Sequence, residues 1–171
     1  MAEITNRDVP LPQRTRTEMV HDFMVGVSRM STWTVMFHQA ASMRMGLNPT
    51  DGKCLSVLRE TGALTAGELA ELIGLTTGAV TGVIDRLEQR GFVRRAADPH
   101  DRRRVIVEPV AGATDTPAIG AIYGPLAQAT QTEIIDRYSD DELAIVLDFI
   151  EWGATLMKEQ TARLHEEKRE E

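Results

Sequence analysis

The chain has 171 residues, a formal net charge of −7 and 42% hydrophobic residues. This length is typical of one domain with a hydrophobic core, and the acidic balance excludes a protein that coats nucleic acid through overall positive charge. The lone Cys54 excludes an internal disulfide and a multi-cysteine zinc site. The opening residues do not resemble a signal peptide, and no run of about 18 apolar residues occurs. We therefore expect a cytoplasmic protein without membrane contact, cofactor or metal.

The first predicted helix covers residues 15–46. Apolar or small residues recur at spacings of three and four, which places them on one helical face; they are Phe23, Val27, Met30, Thr34, Phe37 and Ala41. Gly46 and the Asn48-Pro49 pair end this helix.

Three short helices are predicted to follow. Their starts are marked by capping residues and their ends by glycines: Thr50-Asp51 to Gly62, Thr65 with Glu68 to Gly74, and Thr76 or Thr77 to Gly91. Their apolar faces are expected to be buried, and they consist of Leu55, Leu58, Leu69, Leu72, Val80, Val83, Ile84 and Leu87.

A β-hairpin is predicted after Gly91. Residues 92–96 and 105–109 are β-prone runs, and the charged, turn-rich segment 97–104 joins them. A Gly/Thr/Pro connection then leads to a helix over residues 118–137, whose first half Gly120, Gly124 and Pro125 should weaken or kink.

The last predicted helix begins at the cap formed by residues 139–142 and continues to residue 168. Its apolar residues alternate at steps of four and three, which is typical of a helix that packs against a partner helix. These residues are Leu143, Leu147, Ile150, Ala154, Met157 and Leu164.

The element order predicts a mainly α fold with a small β-hairpin, in which residues 50–109 form a winged helix-turn-helix. In such motifs the second helix, here residues 76–90, enters the DNA major groove. Its residues outside the core face are Thr77, Gly78, Thr81, Gly82, Asp85 and Arg86. Thr76 is either a simple cap or a cap that also contacts DNA. The two glycines allow close approach either to DNA or to a neighbouring helix.

Charge is concentrated in this motif. Residues 86–104 contain seven arginines against Glu88, Asp98 and Asp101, a local balance of +4 in an acidic chain. Such a basic segment on a reading helix and wing is the electrostatic pattern of a groove binder. In isolation, a run such as Arg102-Arg103-Arg104 is more often a solvated turn than a binding site.

The run ELAELIGLTTGAVTGVIDRLEQRGFVRR from Glu68, followed by DPHDRRRVIV from Asp98, resembles the MarR (multiple antibiotic resistance regulator) family. The resemblance is strongest over residues 50–109, and its sharpest part is the Asp-x-Arg of the wing. It implies that Arg103 enters a minor groove, that Asp101 holds this arginine, and that Arg86 contacts the DNA backbone. The full set of expected DNA contacts is Thr65, Thr76, Thr77, Gly78, Thr81, Gly82, Arg86, Arg102, Arg103 and Arg104.

The resemblance also implies a homodimer that represses transcription from a palindromic operator. Residues 15–46 and 118–168 would be the dimerisation helices, placing paired reading helices about 34 Å apart in successive major grooves. The chain departs from the family after the second wing strand, where Glu108-Pro109-Val110 replaces the usual Leu-Thr and clean helix.

A small aromatic or phenolic effector is the ligand that the resemblance implies. Six of the eight methionines lie between Met19 and Met45, and methionine lines adaptable apolar pockets. The expected ligand-binding residues are Trp33, Met36, Phe37, His38 and Met43. The alternative is that these side chains serve ordinary core and dimer packing.

Three other functions have weaker support in the sequence. A redox sensor would use Cys54, whose position on the second helix favours a buried hydrophobe instead. An enzyme is not expected, because the sequence has no metal-binding histidine spacing, no nucleophile elbow and no phosphate-binding loop, and so no catalytic residues. The sequence also leaves open a third alternative, a winged-helix module that binds an acidic protein instead of DNA.

Overall fold

The computed structural model describes residues 14–99, 101 and 103–170, with side chains up to residue 167. The chain divides into two compact units, one up to His38 and the other from Gln39 onward. The predicted organisation as a single domain stays a prediction.

The first unit contains most of α1, which spans Arg16–Arg44. Its start is fixed by Thr15, whose Oγ1 and N–H both donate to Glu18 Oε2 at 2.8 Å. The predicted long helix is therefore confirmed. Its apolar side chains are largely exposed in a single chain, and they include Met19, Val20, Phe23, Met24, Met30, Trp33 and Met36.

The second unit begins with three capped helices, α2 (Pro49–Thr61), α3 (Ala66–Ile73) and α4 (Thr77–Gln89). The predicted Thr50-Asp51 cap of α2 is wrong, because Asn48 Oδ1 accepts the Asp51 N–H at 2.8 Å and Pro49 occupies the first turn. The capping box of Thr65 and Glu68 on α3 is confirmed. Each cap satisfies backbone N–H groups that have no partner within the helix.

The hydrophobic core lies among α2, α3, α4 and the sheet. Its most deeply buried members are Cys54, Leu58, Leu69, Val80, Ile84, Leu87, Val93 and Val107. Leu72 was predicted to be buried but is 36% exposed, whereas Ile73 is only 7% exposed. The short α3 presents Leu69, Ala70 and Ile73 to the core, and these three residues share one helical face.

The sheet has three antiparallel strands, β1 (Leu64–Thr65), β2 (Val93–Ala97) and β3 (Val105–Pro109), in the order β1-β3-β2. The predicted hairpin is confirmed. Its first strand begins at Val93 because the Phe92 N–H donates to the Leu87 carbonyl at 3.0 Å and closes the end of α4. The sequence did not indicate β1, which has too few residues to show an alternation.

Two helices follow the sheet, α5 (Pro117–Ala129) and α6 (Asp140–Glu170). The irregular part of the predicted helix over residues 118–137 lies in its second half, where a π turn at Thr130–Ile134 precedes a short 3-10 turn at Ile135–Arg137. The expected weakening of the first half was therefore misplaced. The regular α5 ends a few residues after Pro125, whose ring removes a backbone donor from the helix interior.

The start of α6 is fixed by a further capping box, in which the Ser139 N–H donates to Glu142 Oε2 at 2.8 Å and the Glu142 N–H donates to Ser139 Oγ. This confirms the predicted cap. Among the described helices, no single one has both the length and the apolar character needed to cross a membrane. Only α3 and α4 taken together, bent by 109° at their junction, meet those two criteria.

Candidate nucleic-acid interface

The exposed face of α4 carries small polar residues. Val80, Val83, Ile84 and Leu87 point into the core and are at most 2% exposed. Thr77, Gly78 and Thr81 lie on the exposed side, and Gly82 is half-buried. The Thr81 hydroxyl donates to the Thr77 carbonyl at 2.9 Å. Thr76 caps the helix through its Oγ1, which accepts the Ala79 N–H at 3.3 Å.

Gly78 faces open space. No described heavy atom outside its own helix backbone lies within 4 Å of where its Cβ would be. A close contact with a neighbouring helix of this chain is therefore not the reason for a glycine here. The absence of a side chain instead leaves the backbone of the first turn accessible to a partner outside the chain.

The tip of the wing is organised by Asp101. Its Oδ1 accepts the Arg103 backbone N–H at 3.0 Å, and its carbonyl accepts the Arg104 N–H at 2.9 Å. Asp101 therefore shapes the turn that carries Arg103 through the backbone. The Arg103 side chain is exposed and forms no hydrogen bond with the described part of the chain. Arg102 lies outside the described residues.

Other arginines of the basic segment pair within the protein. Arg94 donates to Glu108 at 2.7 Å across the β2–β3 pair. Arg104 donates to Glu68 at 2.9 Å, the same carboxylate that closes the α3 capping box with Thr65. These internal pairs reduce the charge that the segment offers to DNA, and the described wing arginine left over is Arg103.

The wing is joined to α4 by Arg95. Its guanidinium donates to Asp85 and Glu88, and its backbone N–H donates to Glu88 at 3.0 Å. The two carboxylates raise the pKa of Arg95 above its ordinary value, chiefly through the hydrogen bond with Asp85. Asp85 and Glu88 together therefore hold the wing against the reading helix.

Arg86 forms an ion pair that the sequence did not reveal. Its Nη2 donates to Asp51 Oδ1 at 2.6 Å, and the bonded carboxylate raises the pKa of Arg86. Asp51 lies in the first turn of α2, where an acidic residue also suits the helix dipole. This local role accounts for an acidic residue at position 51, so nothing in the sequence indicated its long-range partner.

Cys54 is fully buried, and burial raises the pKa of its thiol from an ordinary value near 9.0 to about 11. Because the thiolate is the reactive form, we expect this cysteine to be inert at neutral pH. Diamide or peroxide should leave DNA binding of the wild type and of Cys54→Ser equally intact in an anisotropy titration. Oxidant-dependent release seen only in the wild type would contradict this expectation.

The residues expected to bind an effector lie along α1. Trp33, Met36 and Met43 are 68%, 53% and 69% exposed. The rings of Phe37 and His38 pack edge to face, with their centroids 5.7 Å apart. A hollow of about 340 Å³ lies elsewhere, in the second unit. Its lining consists of Leu55, Arg59, Phe92, Pro109, Val110, Ala111, Gly112, Thr114 and Asp115, none of which was expected to bind a ligand.

The sequence matches the family model described as MarR family over residues 47–105. The uncharacterized HTH-type transcriptional regulator YcgE of Bacillus subtilis is 38% identical over 152 residues, which cover 89% of this chain and 97% of that protein. The multiple antibiotic resistance protein MarR of Salmonella typhimurium is 33% identical over 64 residues, 37% of this chain and 44% of that protein.

Solved structures share the fold. The transcriptional regulator SlyA aligns with a TM-score of 0.54 at 15% identity, covering 84% of this chain and 99% of that one. The YusO protein of Bacillus subtilis aligns with a TM-score of 0.52 at 18% identity, covering 83% and 99% of the two chains.

Proposed function

Because the chain belongs to the MarR family of DNA-binding transcriptional regulators, we propose that it is a cytoplasmic homodimeric repressor that binds a palindromic operator and is released by a small-molecule effector. The DNA-binding part of this proposal is supported by two surfaces that are held together. These are the exposed polar face of α4 and a wing that Arg95 fixes to α4. The wing presents the exposed Arg103 side chain, which forms no hydrogen bond with the described residues.

In this proposal α4 lies in the major groove. Thr77 and Thr81 offer hydroxyls to phosphates and methyl groups to thymines, while Gly78 and Gly82 allow the helix backbone to approach the DNA. Thr76 contributes at the helix N-terminus, and Thr65 at the start of α3. Arg103 enters the adjacent minor groove, and Arg102 contacts a phosphate near the wing. Arg104 does the same by exchanging its exposed bond with Glu68 for one with the DNA.

The homodimer is supported by apolar side chains that a single chain leaves exposed. On α6 these include Leu147, Ile150, Met157 and Leu164, which belong to the stripe expected to meet a partner helix. Exposed apolar surface of this extent marks an interaction site in soluble proteins. We propose that a second copy covers it and spaces the two reading helices for successive major grooves.

The test of the proposed function starts with selection of binding sites from a random duplex pool by the purified chain. A palindromic consensus bound by two chains, with a steep loss of affinity as salt rises, would support the proposal. Mass measurement by light scattering gives the number of chains with and without DNA. No salt-dependent DNA binding, together with capture by acidic protein partners, would favour the winged-helix interaction module instead.

Replacement of Gly78 by alanine separates fold stability from DNA reading. Because the position faces open space, we expect Gly78→Ala to stabilise the fold by about 1 kcal/mol through helix propensity. The added methyl group should nevertheless lower operator affinity, because it obstructs close approach of the first turn of α4. Urea unfolding and anisotropy titration measure the two effects. Unchanged affinity would show that the backbone at Gly78 does not approach DNA.

For the effector, we propose a small aromatic or phenolic ligand bound by Trp33, Met36, Phe37, His38 and Met43. The support is the family resemblance together with the exposed aromatic and methionine side chains of α1. A panel of phenols and aromatic carboxylates is screened by thermal shift and then by release of bound operator DNA. Alanine variants at the five positions should lose the response. A response that survives in all five would overturn this site.

A further inference from the structure

A buried carboxylate of α2 bonds to an exposed arginine of the reading helix. Arg86 Nε donates to Asp51 Oδ2 at 3.0 Å and to Oδ1 at 3.2 Å, and Nη2 donates to Oδ1 at 2.6 Å. The Asp51 side chain is 3% exposed, and that of Arg86 is 47% exposed. The pair is therefore anchored at its acidic end and open to solvent at its basic end.

The geometry leaves one edge of the guanidinium available. Nε and Nη2 both face Asp51, and Nη1 forms no hydrogen bond with the described residues. Nη1 lies 3.6 Å from the position that a Gly82 Cβ would occupy, so it sits beside the exposed face of α4. A guanidinium is a rigid planar fork, and two engaged nitrogens fix the direction of the third.

Asp51 is itself held in place. Its N–H donates to Asn48 Oδ1 at 2.8 Å in the α2 cap, and a Cβ on the adjacent Gly52 would overlap Ser42 Oγ. The connection just before α2 also approaches the end of α4, because a Cβ on Gly46 would lie 2.6 Å from Nη1 of Arg90, the C-cap of α4. The start of α2 is thus a fixed support for the C-terminal half of the reading helix.

We propose that Asp51 is a positioning residue that aims the Nη1 edge of Arg86 at a DNA phosphate beside α4. This rests on the proposed DNA-reading role of α4. Arg86 supplies the phosphate contact, and Asp51 acts only through Arg86. An arginine bonded to a buried carboxylate approaches the DNA already ordered, so less side-chain entropy is lost on binding.

The sign of the effect of Asp51→Asn separates positioning from simple electrostatics. The substitution removes a negative charge near the proposed DNA surface, and electrostatics alone would therefore raise DNA affinity. Positioning predicts the opposite, because the neutral amide no longer orients the guanidinium. We expect operator affinity to fall by about tenfold, the order of one charge-assisted hydrogen bond.

The experiment measures operator affinity against salt for the wild-type chain, Asp51→Asn, Arg86→Gln and the double variant, all well below their melting temperatures. Arg86→Gln should reduce the magnitude of the salt slope by about 0.9, the value for one phosphate contact. In the Arg86→Gln background, Asp51→Asn should cause no further loss. Arg59→Gln, two helical turns along α2 from Asp51, is the control for losing one positive charge.

Arg86→Lys is the second variant, used also if Asp51→Asn does not fold. It keeps the charge but cannot bond Asp51 and a phosphate with the same fork, so affinity should fall and the slope should flatten. Equal or higher affinity of Asp51→Asn, with an unchanged slope in Arg86→Lys, would overturn the positioning role. A wild-type chain that binds DNA, but with no effect from α4 variants such as Thr77→Ala and Gly78→Ala, would overturn the reading role on which it rests.

Discussion

Arg103→Ala is expected to reduce operator affinity by about 10- to 100-fold without loss of stability. The side chain is exposed and forms no hydrogen bond with the described residues, so its removal leaves no buried group without a partner. A good base-edge contact contributes about 1–3 kcal/mol of discrimination, and a narrow A·T-rich minor groove attracts arginine strongly. Anisotropy titrations with operator duplexes measure the loss, and urea unfolding checks the fold.

The sequence of the DNA offers a further readout for Arg103. If the side chain enters a minor groove, wild-type affinity should fall when A·T pairs flanking the reading-helix contacts become G·C, and Arg103→Ala should be insensitive to that exchange. The matched control is Arg94→Ala, which removes the same charge from the wing but breaks the pair between the exposed Arg94 and the half-buried Glu108. Equal losses in the two variants would show that only general charge attraction is involved.

Local signals predicted most of the fold. The Thr65–Glu68 box, the Thr76 cap and the Ser139 cap are each specified within four residues, and all are observed. The buried stripe of α4 was also predictable, because helical spacing alone assigns it to one face. Short or irregular elements were not predictable. The two residues of β1 are too few to show an alternation, and the distortion after α5 depends on how the chain accommodates Pro125.

The candidate site was predictable in location but not in its internal bonding. The concentration of arginines identified the wing and reading helix as the basic surface of an acidic chain. Counting charges nevertheless overstates what is available to DNA, since Arg94, Arg95 and Arg104 bond to carboxylates of the same protein. The bond between Asp51 and Arg86 spans 35 positions, and no local pattern encodes a contact of that separation.

The effect of Gly52→Ala on stability likewise depends on a long-range contact that no local sequence pattern encodes. We expect this substitution to destabilise the protein by about 1–3 kcal/mol. Helix propensity alone would predict a gain of about 1 kcal/mol for this position inside α2. The structure reverses that sign, because a Cβ here would overlap Ser42 Oγ and lie 2.8 Å from Ser42 Cβ. Ser42 is only 5% exposed, so it has little room to move aside.

Urea unfolding at fixed protein concentration measures this change, and a second substitution identifies its cause. Ser42→Gly removes both atoms that the new methyl group would meet, so it should restore much of the stability in the Gly52→Ala background. In the wild-type background Ser42→Gly should only destabilise, since it adds a glycine to α1 and creates a cavity. The cycle should therefore give a favourable coupling between the two substitutions. A Gly52→Ala protein as stable as the wild type would mean that α1 and α2 separate easily at this contact, which would leave Asp51 without a rigid support.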